Sequence, residues 1–195
     1  TGEVLLALPQ GFKYNVLIRN GNPMSSGPAF PSNVDGMAAY AWGGAIRLVA
    51  CHERGAGAPI GLMPYDPKAG GGTTTHTVDP NTRLLTESFV SSSGTVRNCA
   101  GGLTPWGSFL SCEESNLGPS ATLDKQHGYI FEVPAFADAS DLLRQMPRRA
   151  GVWYKATCPN QRAVDRALAD QAALLHRAEG NHIVCTHGRF LINRR

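Results

Sequence analysis

The sequence predicts an all-β fold from three observations. Its 195 residues include 22 Gly and 13 Pro, spread along the chain rather than gathered in one linker, a pattern of many turns and few long helices. Short runs of β-type composition recur, bounded by Gly, Pro, Asn or Asp. Hydrophobic residues make up 42%, enough at this length to build a core and too many for a disordered tail.

The runs, in order, are Tyr14 to Ile18, Ala45 to Ala50, Thr73 to Val78, Leu84 to Val90, Ser108 to Cys112 and Tyr129 to Val133. Short strands with turn chemistry between them fit a sandwich, a barrel or a propeller, and periodicity does not choose among the three. No clear internal repeat is visible, which counts against a propeller with a regular blade signature but leaves one with divergent blades open. Gly55 to Gly72, rich in Gly, Ala and Pro, reads as an exposed loop.

After about Ala139 the character of the chain changes. Val164, Ala167, Leu168, Ala172, Leu174 and Leu175 are spaced for one helix over Gln161 to Ala178, following Pro159-Asn160, and His182 to Ile192 reads as strand, turn and strand. The chain thus divides into a strand-rich portion, 1–140, and a tail, 141–195. The tail is either a later segment of the same fold or a non-native, frameshifted stretch.

A net charge of +3 arises from scattered Lys and Arg with no basic run, which argues against nucleic acid as partner. The mild positive balance suits an anionic small substrate without singling one out. No stretch approaches the roughly 20 apolar residues of a membrane span. The sequence starts at Thr1 without a basic-then-apolar leader, which fits a removed export signal and a start inside a gene equally. Five cysteines, at 51, 99, 112, 158 and 185, form no CxxC pair, and an odd count leaves at least one thiol outside any intramolecular disulfide. In an exported protein, metal ligation would account for such a thiol.

The densest chemistry is the run GTVRNCAGGLTPWGSFLSCEE from Gly94 to Glu114. A Gly-Gly turn and a Thr-Pro-Trp-Gly bend let a thiolate from one side and carboxylates from the next strand converge, as a site of mixed soft and hard ligands requires. Cys99 by type alone would be a small buried hydrophobe, but Arg97, Asn98, the glycines and the downstream carboxylates favour a ligating thiolate. Cys112 alternates with apolar Phe109 and Leu110 and reads as core. Adjacent Glu113 and Glu114 point to opposite faces if the strand runs through them, so one faces the site and could help hold a hard cation such as Ca²⁺. Cys51-His52-Glu53-Arg54 at the end of a strand reads equally as site or surface, and Asp35-Gly36 reads first as a turn.

Two alternatives fail on spacing. Gly70 to Gly72 followed by three Thr lacks the spacing and Lys of a phosphate-binding loop and reads as turn then strand. No Gly-x-Ser-x-Gly elbow is present for a serine hydrolase.

Taken together, the motifs resemble the PhoX family of bacterial alkaline phosphatases: LPQGFKY from Leu8, DGMA from Asp35, His52-Glu53, GGTT from Gly71, the long block from Gly94 to Glu114, and His127-Gly128-Tyr129, in the family's order over about residues 3 to 135. The resemblance implies a six-bladed β-propeller, here an incomplete set of blades with one C-terminal helical segment. It implies export through the twin-arginine route to the periplasm or beyond, and a central site of Fe³⁺ and Ca²⁺ that hydrolyses small phosphate esters in a protein without a membrane segment, expected to be a monomer. By that analogy Cys99 matches the iron-binding cysteine, and Glu53, Glu113 and Glu114 fall where metal-binding carboxylates are expected. Arg97 is the candidate phosphate contact, since a guanidinium can grip two oxygens at once.

The chain also departs from the family. Cys51 stands where the family usually has Asn, and a His-Glu-Ala segment with a further metal-binding Glu, expected soon after Met146, is absent. Leu174 to Leu191 loosely resembles a later motif that would make Glu179 a ligand. A phosphomonoesterase is the leading reading. A calcium-binding or structural module without turnover, and a phosphodiesterase or phosphotriesterase on the same fold, are the competitors.

Overall fold

A computed structural model describes residues 7–104 and 106–139, together with the backbone of three strands at 152–155, 182–186 and 189–193. Among the described residues the strands are β1 (Val34–Trp42), β2 (Ala45–His52), β3 (Gly71–Val78), β4 (Leu85–Thr95), β5 (Asn98–Leu103), β6 (Ser108–Glu113), β7 (Tyr129–Pro134), β8 (Val152–Lys155), β9 (His182–Thr186) and β10 (Arg189–Asn193). They form two four-stranded antiparallel sheets in plain sequential order, β1-β2-β3-β4 and β5-β6-β7-β8, plus the hairpin β9-β10.

Local chemistry explains the first meander. Gly43 and Gly44 both hold positive φ, 53° and 80°, the geometry of a two-residue turn whose twist matches the flanking strands. Between β3 and β4 the Asp79 carboxylate accepts from the amides of Asn81 and Thr82 at 2.8 and 2.9 Å, an Asx turn. β3 is buried along its whole length although it reads GGTTTHTV. Its hydroxyls find partners inside: Thr73 Oγ1 bonds Ser91 and Ser92 at 2.8 and 2.9 Å, and Thr74 Oγ1 bonds the Nε2 atoms of His52 and His76 at 2.9 and 2.8 Å.

The two sheets share one core. Ala38, Tyr40, Val49 and Cys51 of the first pack with Phe109, Val133 and Ala135 of the second, and the buried Tyr40 hydroxyl donates to the Ser108 carbonyl at 2.7 Å. β1 lies alongside β5. At Gly36 the approach is so close that a Cβ would stand 2.5 Å from the Cys99 carbonyl oxygen and 3.0 Å from the Gly101 nitrogen.

Several sequence-based expectations need correction. Asp35-Gly36 is no turn: it lies within β1, and the glycine is there for the approach of β5. Gly101-Gly102 is likewise strand, and a side chain at 101 would overlap the Phe109 ring. Tyr14 to Ile18 forms no strand despite its β-type residues. The Gly55 to Gly72 loop holds through residue 70, after which Gly71 and Gly72 already belong to β3. The strand-turn-strand reading of 182 to 192 agrees with β9 and β10, whereas the helix at 161–178 and Glu179 lie outside the described residues.

Candidate metal centre

In an up-and-down sheet the starts of odd strands and the ends of even strands meet at one rim. That rule places the start of β1 (Asp35) beside the residue after β2 (Glu53), and the start of β5 (Cys99) beside the residue after β6 (Glu114), because Val34 pairs with His52 and Asn98 pairs with Glu113; the close approach of Gly36 to Cys99 joins the two pairs at one rim. Backbone hydrogen bonds tie these segments to one another. Glu53 donates to the Asn33 carbonyl at 2.8 Å, Arg97 donates to the Arg54 carbonyl at 2.8 Å, and Glu114 donates to the Arg97 carbonyl at 2.9 Å.

Cys99 sits at the middle of this rim, half-buried. Its thiol is pushed up to about 12, first by burial, then by a hydrogen bond from the thiol to Asp35 and by the charges of Asp35, Glu114 and Glu53. Three carboxylates from both sheets therefore act on one sulfur, and the pressure on it is toward the protonated form. A cation would reverse that pressure, because it favours thiolate and carboxylates alike. The donor set thus fits a cation in chemistry and in sign. Among the described residues, no three His, Cys, Asp or Glu side chains converge closely enough to hold a metal ion by themselves.

Glu113, next to Glu114, has a different setting. It is buried, and its Oε1 accepts from the Val96 amide at 2.7 Å while Oε2 accepts from the amides of Gly128 and Tyr129 at 2.7 and 3.1 Å. His127 Nδ1 meets the same Oε1 at 2.7 Å, and His127 Nε2 meets Asp66 Oδ2 at 3.1 Å. Asp66 in turn accepts from the amides of Lys68, Asp124 and Lys125, each at 2.8 Å. Both ring nitrogens of His127 face carboxylate oxygens. Burial pulls its pKa down, yet Glu113 and Asp66 raise it overall above the ordinary histidine value. Of the adjacent glutamates, Glu114 is the one left exposed at the rim.

Arg97, also exposed, keeps a left-handed φ of 49°, rare for a residue with a side chain, and its backbone N–H and carbonyl are both engaged. His52 belongs to the interior. Its Nδ1 meets the Ser32 carbonyl at 2.9 Å, its Nε2 meets Thr74, and burial lowers it to about 4. Cys51 is fully buried with its sulfur 3.2 Å from Ser111 Oγ, and burial raises it to about 12. It is packed between the sheets and touches Ser111, whose hydroxyl also accepts from Asn98 Nδ2 at 2.7 Å.

The family model described as "Alkaline phosphatase PhoX" matches residues 2–83 and 72–150, which together span most of the chain. The chain belongs to the PhoX family. No curated protein and no solved structure matches it. PhoX membership supports phosphatase chemistry in general terms. No helix among the described residues is long and apolar enough to cross a membrane.

In this PhoX chain, sequence reasoning underrated Asp35, read as a turn, and gave no role to Asp66 or His127. The signal for Asp35 was its glycine: a Gly inside a strand marks the close approach of another backbone. Asp66 lies in a long loop, and nothing in its local sequence indicates that it closes on His127.

Proposed function

We propose that the chain is part of a phosphomonoesterase of PhoX type, a propeller of four-stranded blades whose Fe³⁺ and Ca²⁺ sit where β1, β2, β5 and β6 present their rim. The observation that carries this reading is the meeting of the β1, β2, β5 and β6 ends at one rim, which carries Asp35, Glu53, Cys99 and Glu114. Two successive four-stranded meanders with their first strands side by side support the propeller, since blades of that kind stand around a shared axis.

In this reading Cys99 supplies the soft ligand and Asp35, Glu53 and Glu114 the hard ones, with further ligands from elsewhere in the ring. Bound cations would neutralise phosphate oxygens and favour in-line attack on phosphorus. Arg97 faces solvent at the same rim, and its guanidinium can take two non-bridging oxygens of the ester and orient it. Glu113 has no part in ligation in this reading, because three amides and the His127 ring already use its oxygens. The family's usual export supports a periplasmic or secreted location.

The test is elemental analysis together with hydrolysis of an aryl phosphate by the metal-loaded full chain and by its Cys99→Ala variant. Iron with calcium, and loss of turnover by about a hundredfold or more in the variant, are expected. Full activity of Cys99→Ala ends the thiolate assignment. The competing reading is a calcium-binding module without turnover. Calcium without iron and without hydrolysis would select it.

A further inference from the structure

The buried chain Asp66, His127 and Glu113 lies behind the rim and grips the segments from which Arg97 and Glu114 project. Glu113 holds the Val96 amide, one residue before Arg97, and is itself one residue before Glu114. It also holds the amides of Gly128 and Tyr129 at the start of β7. His127 joins Glu113 to Asp66, and Asp66 fixes the loop between β2 and β3 to residues 124 and 125 through two amides. The Tyr65 ring stands edge-on to His127 and closes it off. In front of this chain run the backbone bonds from Arg97 to Arg54 and from Glu114 to Arg97.

We propose that Asp66, His127 and Glu113 form a positioning clamp that sets Arg97 and Glu114 for substrate and cation. Arg97 shows why a clamp is needed. Its left-handed backbone is strained for a side-chain-bearing residue and persists only where the surroundings over-determine it. The Val96 amide held by Glu113 on one side, and the Arg54 and Glu114 backbone bonds on the other, supply that determination. The geometry distinguishes the two adjacent glutamates: Glu113 braces from behind and Glu114 faces out, opposite sides of one strand end. This inference rests on the phosphatase reading of the rim.

The test compares the full chain with His127→Gln, which keeps a donor for one carboxylate and removes the doubly bonded bridge, and with Asp66→Asn, a milder lesion of nearly the same shape. Both are assayed well below their melting temperatures, with folding checked by circular dichroism. Calcium affinity by titration and the kcat and KM for an aryl phosphate are read separately. The clamp predicts calcium binding weakened by about tenfold or more and a raised KM in the folded variant. It also predicts that Glu114→Gln adds little further loss of calcium affinity in the His127→Gln background, because both changes act on one unit. Folded variants with a lowered melting temperature but unchanged calcium affinity and KM overturn the proposal, leaving a merely structural role. If His127→Gln does not fold, Asp66→Asn decides by the same two readouts. A full chain that neither binds calcium nor hydrolyses the ester refutes the phosphatase reading itself, and the clamp with it, which is distinct from a clamp failure in an active protein.

Discussion

At Gly36 the two sheets come within backbone contact, so the residue scale is where the site can be disturbed with least chemistry. An alanine there would place its Cβ 2.5 Å from the Cys99 carbonyl oxygen, and neither backbone can swing aside as a side chain would. Gly36→Ala is expected to cost about 1–3 kcal/mol by urea midpoint. Gly55→Ala, with nothing within 4 Å, should stay within about 0.5 kcal/mol. Arg97 makes the opposite prediction. Replacing it by Gly relieves a left-handed backbone, so stability should hold or rise by about 1 kcal/mol. The lost guanidinium should raise KM for a phosphate ester by about tenfold or more. An unchanged KM would remove Arg97 from the substrate site. This scale was partly legible in the sequence: the opposite facing of Glu113, buried, and Glu114, exposed, follows from the strand period. The positions of Asp66 and His127 do not, since their meeting spans 61 residues and depends on tertiary closure.

Among elements, β3 carries an unusual load for a central strand. Its eight buried residues include four threonines and His76, with the His76 ring 4% exposed. Burial, with a smaller push from His52, lowers His76 from 6.5 to about 4. A folded pKa below the unfolded one means that the unfolded chain binds the extra proton first. Stability is therefore full above pH 6.5 and falls as the pH drops through 4, by about 3 kcal/mol for this one ring. Urea midpoints measured across that range should fall less steeply for His76→Gln than for the parent, and parallel slopes would rule the ring out as a source of acid sensitivity. Strands with a polar interior face escape hydropathy patterns but not composition: β3 was legible from its threonines. β1 and β5 were not, because Asp-Gly and Gly-Gly signal turns when read locally, and only the neighbouring backbone reveals that these glycines make room.

For the whole molecule, the all-β class follows from turn residues at short intervals, whereas the up-and-down order is seen only in the strand pairing, which β5 through β8 carries past residue 140. Ring closure does not follow from two sheets, because a propeller differs from stacked meanders only in what lies beyond the second one. The rim shared by both sheets is the central claim, and iron binding reads it most directly. Ferric ion bound through a thiolate absorbs in the visible by ligand-to-metal charge transfer. Titrating Fe³⁺ into the full chain should raise that band. Cys99→Ser should abolish it, while Cys51→Ser, altered at the sulfur buried between the sheets, should retain it. A band that survives Cys99→Ser, or that vanishes only with Cys51→Ser, would contradict a cation held at the rim of β1, β2, β5 and β6.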